Sequence, residues 1–79
     1  GGWLFLTNEK LIFQSHSINI QKHKLVIPTN EINTVIPVKT IGIFSNGLKV
    51  TTNKQKQERF VVNNQEVWVE KINNVINEQ

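Results

Sequence analysis

Histidine and serine side chains are the first candidates for chemistry in this 79-residue chain. His16 and His23 lie close in sequence, with Ser15 and Ser17 flanking the first of them. A metal site needs three or four converging ligands, and the chain has no Cys or Asp to join its two histidines. A nucleophilic serine needs an aligned base and a carboxylate, and no strand–turn–helix nucleophile elbow is present. These patterns predict no metal site, no cofactor and no enzyme.

The basic residues are better candidates for a binding site. The chain carries 9 Lys and Arg residues against 6 acidic ones, a formal charge of +3, which favours an acidic partner such as lipid head groups. The candidate contacts for anionic lipid are Lys22, Lys24, Lys54, Lys56 and Arg59. A lysine near an anionic leaflet contributes about 1 kcal/mol, so several on one face predict weak, salt-sensitive membrane attraction. The alternative is that these residues only keep the surface soluble.

Nucleic acid would use the same charge, but it also needs exposed aromatic residues beside the lysines. Trp3, Phe5 and Phe13 are the candidates, and their alternation fits core and cross-strand packing better.

No apolar run approaches the roughly 20 residues of a membrane span. The absence of cysteine fits a cytoplasmic setting, at or near the membrane. The abundance of Asn, Ile and Lys indicates an AT-rich, bacterial genome.

Alternating apolar residues predict short strands along most of the chain. The predicted strands are residues 3–7, 10–15, 24–28, 33–38, 48–52 and 59–62. The first two strands are predicted to form a hairpin, and residues 29–32 to form a turn or a single helical turn. Pro37 places its strand at an edge of the sheet or at a bulge. Residues 41–44 fit either a strand or a loop that fills the core. Asn46-Gly47 is the strongest turn signal in the chain.

The pattern then changes to a helical period. Asn63 and Glu66 have the spacing of a capping box, and an apolar stripe from Trp68 to Ile76 predicts a helix over residues 64–77. We expect Trp68 to anchor the core rather than to bind a ligand. The predicted core comprises Leu4, Leu6, Leu11, Phe13, Leu25, Ile27, Ile32, Val50, Phe60, Val62, Trp68 and Ile72. A helix after strands alone must cover the open end or side of a curved sheet.

Several segments, in order, resemble the signature of GRAM domains of the pleckstrin-homology-like (PH-like) superfamily, especially bacterial members. They are Gly2, Leu4, residues 6–8 and 10–13, Ile27-Pro28 with Glu31-Ile32, residues 48–52 and 59–62, and Trp68 with Ile72. The resemblance covers nearly the whole chain. It implies one domain over residues 1–79 with a mostly β, PH-like fold, in which the C-terminal helix caps a partly open barrel of two curved antiparallel sheets.

The resemblance also implies a module that binds lipid or protein and does no chemistry. Weak peripheral association with an anionic membrane surface is the first functional hypothesis. Family members usually have a leading strand before the glycine matching Gly2, and many PH-like domains bind phosphoinositides there. Because this sequence starts at that glycine, inositide recognition is in doubt, and the strand from Trp3 to Leu6 is expected to present an open edge. The alternative function is protein interaction or oligomerisation through an exposed strand edge, near residues 3–6 or near residues 33–38, with a homo-oligomer expected through the Trp3 to Leu6 edge.

Overall fold

The computed structural model describes residues 2–15, 24–40 and 44–78, which form two three-stranded antiparallel sheets followed by a helix. The first sheet contains β1 (Gly2–Leu6), β2 (Lys10–Ser15) and β3 (Lys24–Pro28), and the second contains β4 (Ile32–Thr40), β5 (Phe44–Thr52) and β6 (Gln57–Val61). A 3-10 turn (Thr29–Glu31) connects the sheets, and helix α1 (Gln65–Asn77) follows. Over these described ranges the sheets are not closed into a barrel. The architecture confirms the expected mostly β fold with two antiparallel sheets and one C-terminal helix, and it is consistent with a partly open PH-like fold.

The first sheet follows the sequence pattern closely. Leu4 pairs with Phe13 and Leu6 with Leu11, which are the predicted cross-strand partners. These side chains point toward the core, as Leu25 and Ile27 of β3 do. Since successive side chains of a strand point to opposite faces, the intervening residues of each strand lie on the other side of the sheet.

The predicted turn at Asn46-Gly47 is wrong, because both residues lie inside β5. Gly47 pairs with Val38 of β4, and a Cβ atom on it would lie 2.8 Å from Val38 Cγ2. The Thr40 hydroxyl donates a hydrogen bond to Asn46 Oδ1. The glycine therefore allows close approach of two strands. Thr40 pairs with Phe44, so the connection between β4 and β5 falls at residues 41–43, outside the described ranges.

Strand β4 lies at an edge of the second sheet, as Pro37 predicted. Its register with β5 shifts between Ile32 and Thr34 and again between Val38 and Thr40. Pro37 itself stays in register, opposite Leu48. An edge position tolerates proline because no ladder hydrogen bond is needed from its missing N–H.

The helix forms where it was predicted, but the capping box is wrong. The N-cap residue is Asn64 rather than Asn63, with a left-handed backbone at φ 57° and ψ 57° and no side-chain cap hydrogen bond. Asparagine is among the few residues that adopt this conformation readily. The Asn64 carbonyl instead accepts hydrogen bonds from the backbone N–H groups of Val67 and Trp68, at 3.0 and 3.2 Å.

The core lies between the two sheets and beneath α1. Its fully enclosed residues are Leu11, Ile27, Ile32, Val35, Leu48, Val50, Phe60 and Ile72. Every residue of the predicted core belongs to this cluster or packs against it, although Trp68 is only half-buried. Leu48 faces inward as the alternation of its strand indicates, and Val35 was not predicted. The rings of Phe13 and Phe60 lie 5.5 Å apart and join the two sheets. Helix α1 packs on β4 and β5.

Within the described ranges, no helix combines the length and the apolar character that a membrane span requires.

Candidate binding surfaces

The 3-10 turn ties together the hairpin turns of both sheets. The Thr29 hydroxyl and backbone N–H donate hydrogen bonds of 2.8 Å to the carbonyls of Asn8 and Glu9, in the β1–β2 turn. On its other side, the Glu31 carbonyl accepts a 2.8 Å hydrogen bond from the N–H of Asn53, in the β5–β6 turn. One end of the molecule is therefore fixed by hydrogen bonds between segments far apart in sequence.

The β5–β6 turn carries two of the predicted lipid contacts, Lys54 and Lys56. Gln55 between them has a left-handed backbone at φ 64°, and its N–H donates a 2.9 Å hydrogen bond to the Thr52 carbonyl. The backbone N–H of Lys56 donates to Thr52 Oγ1 at 3.2 Å. These bonds fix the backbone of the turn and leave both lysine side chains exposed.

Lys54 and Lys56 line an open groove of about 260 Å³ between this turn and β3. Glu31 and Glu58 line the same groove. Two carboxylates beside two ammonium groups leave the groove without net charge, so its attraction for an anion is modest. The sequence offers Glu31 and Glu58 as residues that could balance the lysines, and the structure places both of them, from the 3-10 turn and from β6, in this groove.

The remaining predicted contacts lie on other surfaces. Lys24 begins β3 and pairs with Gln14, at the end of the strand away from the 3-10 turn. Arg59 pairs with Lys49 on the second sheet, on the face opposite the buried Phe60. Lys22 and both histidines lie outside the described residues. The structure thus brings Lys54 and Lys56 together and places Lys24 and Arg59 elsewhere.

The face of the first sheet that points away from the core is largely apolar; we call it the outer face. Register places Phe5, Ile12 and Val26 in one row across the three strands, and Trp3 lies in the adjacent row. Trp3 is 60% exposed, Phe5 51% and Val26 41%. Trp3 and Phe5 therefore lie outside the core, since alternation turns Leu4 and Leu6 inward, as predicted. Of the core and cross-strand packing expected for the aromatic residues, these two have cross-strand partners, Gln14 and Ile12.

Strand β1 lies at one edge of the first sheet. A cavity of about 330 Å³ beside it is lined by Gly2, Trp3, Leu4, Asn46, Val61, Val62, Asn63 and Trp68. Trp68, expected only as a core residue, therefore packs against the core on one side and lines this cavity on the other. An edge strand beside a partly apolar cavity is a place where another extended segment can dock.

Residues 1–74 match the family model of the GRAM domain. The matched range includes both sheets, the 3-10 turn and most of α1. No curated protein sequence matches the chain significantly. The family match therefore covers the groove, the outer face and the β1 edge.

Proposed function

The chain belongs to the GRAM domain family, and from that premise we propose that it associates weakly and peripherally with the anionic surface of a membrane, on the cytoplasmic side. The family consists of non-catalytic modules that bind membrane lipid or protein. In this proposal residues 1–79 act as one domain. Lys22, Lys24, Lys54, Lys56 and Arg59 are the candidate contacts to lipid phosphates.

The main observation that supports the proposal is the exposure of the basic side chains. Lys24, Lys54, Lys56 and Arg59 are all exposed, and the whole chain has a formal charge of +3. Each such cation gains about 1 kcal/mol near an anionic leaflet. Glu31 and Glu58 offset part of this gain at the groove, so the association is weak and depends on charges that salt can screen.

Co-sedimentation with lipid vesicles tests the proposal. We expect the protein to sediment with vesicles that contain phosphatidylserine, to stay in solution with pure phosphatidylcholine, and to dissociate as salt is raised. The Debye length falls from about 10 Å at 0.1 M salt to about 3 Å at 1 M, so exposed charges lose most of their attraction over that range. Equal retention on both kinds of vesicle would remove the electrostatic mechanism.

A pair of charge variants separates local contacts from net charge. Lys54→Gln with Lys56→Gln is expected to weaken vesicle binding more than Lys39→Gln with Lys71→Gln. Both double variants remove two positive charges, but the control pair lies on β4 and α1. Identical losses from the two variants would mean that net charge alone governs binding and that the groove makes no specific contact.

Protein interaction through the β1 edge is the second candidate function. Its support is that β1 lies at the edge of its sheet and contains no charged residue to discourage strand pairing. In this case a second copy, or a segment of a partner, would add a strand beside β1. Sedimentation equilibrium together with amide hydrogen exchange tests it: a monomer at high micromolar concentration with fast exchange from Trp3 to Leu6 rejects self-association.

A further inference from the structure

The outer face of the first sheet combines apolar and basic side chains in a defined order. Phe5, Ile12 and Val26 form the central row. Lys24 lies beyond one side of this row, in register with Gln14 and Trp3. Lys10, opposite Pro28, lies beyond the other side. Its position is fixed because its backbone N–H donates a 2.9 Å hydrogen bond to Thr7 Oγ1.

The charge of this surface differs from that of the groove. The three strands of the first sheet contain Lys10 and Lys24 and no acidic residue. In the groove, by contrast, two glutamates accompany Lys54 and Lys56. An anion approaching the outer face therefore meets the positive charge of Lys24 and Lys10, of which Glu9, beside Lys10 in the β1–β2 turn, offsets part at one end.

The exposed aromatic rings also need a physical reason. Apolar surface in water costs about 25 cal/mol per Å² relative to burial, and contiguous exposed apolar patches mark interaction sites. Tryptophan is enriched at the boundary between lipid head groups and acyl chains, because its ring is apolar and its indole N–H is polar. Lysine stems lie along apolar surface while their ammonium groups reach phosphates.

We propose that the outer face is the surface that meets the membrane, with Trp3, Phe5 and Val26 entering the head-group boundary of an anionic bilayer. Lys10 and Lys24 then contact lipid phosphates on either side of the apolar row. This inference rests on the proposed membrane association. It extends the membrane contact from the Lys54–Lys56 groove, which Val26 also lines, across the outer face. It also adds an apolar component to a mechanism that charge alone would make fully salt-sensitive.

The size of the outer face favours a bilayer over a second copy of the chain. Strands of five or six residues are about 17–20 Å long, and three of them about 4.8 Å apart form a face of only a few hundred Å². A stable protein interface needs about 800 Å² from each partner. A bilayer sets no such minimum, because a few inserted side chains and nearby cations already give weak, reversible binding.

Fluorescence of single-tryptophan variants tests the inference directly. Trp68→Phe leaves Trp3 as the only tryptophan, and Trp3→Phe leaves Trp68 as the matched control. Both are mixed with vesicles of phosphatidylserine and brominated phosphatidylcholine, in which bromine quenches nearby indole rings. We expect quenching and a blue shift of Trp3 emission and little change for the half-buried Trp68. Circular dichroism verifies that both variants are folded.

A second pair of variants measures the apolar contribution. Phe5→Ser is expected to weaken binding to anionic vesicles by about tenfold, as the loss of roughly half a phenylalanine's burial predicts. Phe44→Ser, the same exchange at a side chain 53% exposed on β5 of the second sheet, is expected to leave binding unchanged. High salt should weaken the parent protein's binding without abolishing it.

The outcomes distinguish the inference from the function on which it rests. Quenched Trp3 emission together with weakened binding of Phe5→Ser supports the outer face. Vesicle binding with unquenched Trp3 and an unaffected Phe5→Ser overturns this orientation and leaves membrane association intact. Absence of binding to anionic vesicles overturns both. A dimer that Phe5→Ser converts to monomer assigns the face to a second copy and also overturns the inference.

Discussion

Gly47 lies at the point where β4 and β5 approach each other closely. A Cβ atom at this position would lie 2.8 Å from Val38 Cγ2 and 2.9 Å from Thr40 Cγ2. Both neighbours are β-branched and stiff at χ1, so they cannot move aside cheaply. The glycine sets the separation of β4 and β5 near the end of the second sheet.

We therefore expect Gly47→Ala to lower the free energy of unfolding by about 1–3 kcal/mol, the usual cost of overpacking. Urea denaturation monitored by circular dichroism measures this change. Ser45→Ala, two residues away at an exposed site of the same strand, should change stability little. Equal midpoints for the parent and Gly47→Ala would show that the strands separate without cost.

Gln65 is a second residue whose role depends on its partners. Its Nε2 donates hydrogen bonds of 2.8 Å to the Val38 carbonyl and 2.7 Å to the Gly47 carbonyl. The first residue of α1 thereby joins the helix to β4 and β5. Both donated bonds use the amide nitrogen, which a carboxylate cannot replace.

We expect Gln65→Glu to lower the free energy of unfolding by about 1–3 kcal/mol or more, because it places a negative charge against two carbonyl oxygens. Glu66→Gln is the matched control: it exchanges the same two chemical groups at the exposed neighbouring position and should cost only a few tenths of a kcal/mol. Thermal denaturation measures both variants. Equal shifts in Tm would contradict the proposed role of the amide.

At the scale of elements, the sequence predicted β2 and β3 to the residue and β1, β4 and β6 to within two residues at each end, because alternation and turn residues are local signals. Strand β5 begins four residues earlier than predicted. The sequence pattern failed at Asn46-Gly47, where cross-strand contact with Val38 replaces the turn. It also missed Gln65, whose partners lie 27 and 18 positions away. The candidate site was predicted as a set of four lysines and Arg59, with Glu31 and Glu58 among the residues that could balance them. Which carboxylate lies beside which lysine, and the place of Lys10 on the outer face, depend on tertiary folding.

Although the 3-10 turn has only three residues, we expect it to contribute to the stability of the fold. Thr29 is buried at 1% exposure, and its hydroxyl donates to the Asn8 carbonyl at 2.8 Å. Thr29→Val keeps the shape of the side chain and removes this hydrogen bond. We expect a loss of about 0.5–1.5 kcal/mol in the free energy of unfolding, the usual net contribution of one hydrogen bond.

Thr34→Val is the control for this change, since Thr34 is exposed on the edge strand β4. The same atoms are exchanged there without loss of a buried partner, so stability should remain within about 0.5 kcal/mol. Guanidinium denaturation of both variants measures the difference. If Thr34→Val costs as much as Thr29→Val, the hydroxyl of Thr29 is not what holds the turn.

At the scale of the whole molecule, the two sheets are covered unequally. Helix α1 packs on β4 and β5 and places the fully buried Ile72 in the core. The outer face of the first sheet, in contrast, carries exposed apolar side chains. With no disulfide in the chain and a core limited by its length, this asymmetry should divide the molecule into a more stable and a less stable part.

Amide hydrogen exchange is expected to reveal the division. The central strands β2 and β5 form a matched pair, since each is hydrogen-bonded on both sides. We expect β5 to exchange more slowly than β2 because the helix must open before the second sheet does. Indistinguishable exchange of β2 and β5 would mean that the two sheets open in a single cooperative event.

The order of strands has a consequence for the way the chain is made. Each sheet consists of strands consecutive along the chain, so loops close over short distances and the low contact order favours rapid folding. A nascent chain leaving the ribosome can pair β1, β2 and β3 first. Until β4 to β6 and α1 emerge, however, Leu4, Leu6 and Leu11 have no opposing surface. At that stage of synthesis the chain would expose apolar residues on both faces of the first sheet, which makes it a substrate for a chaperone.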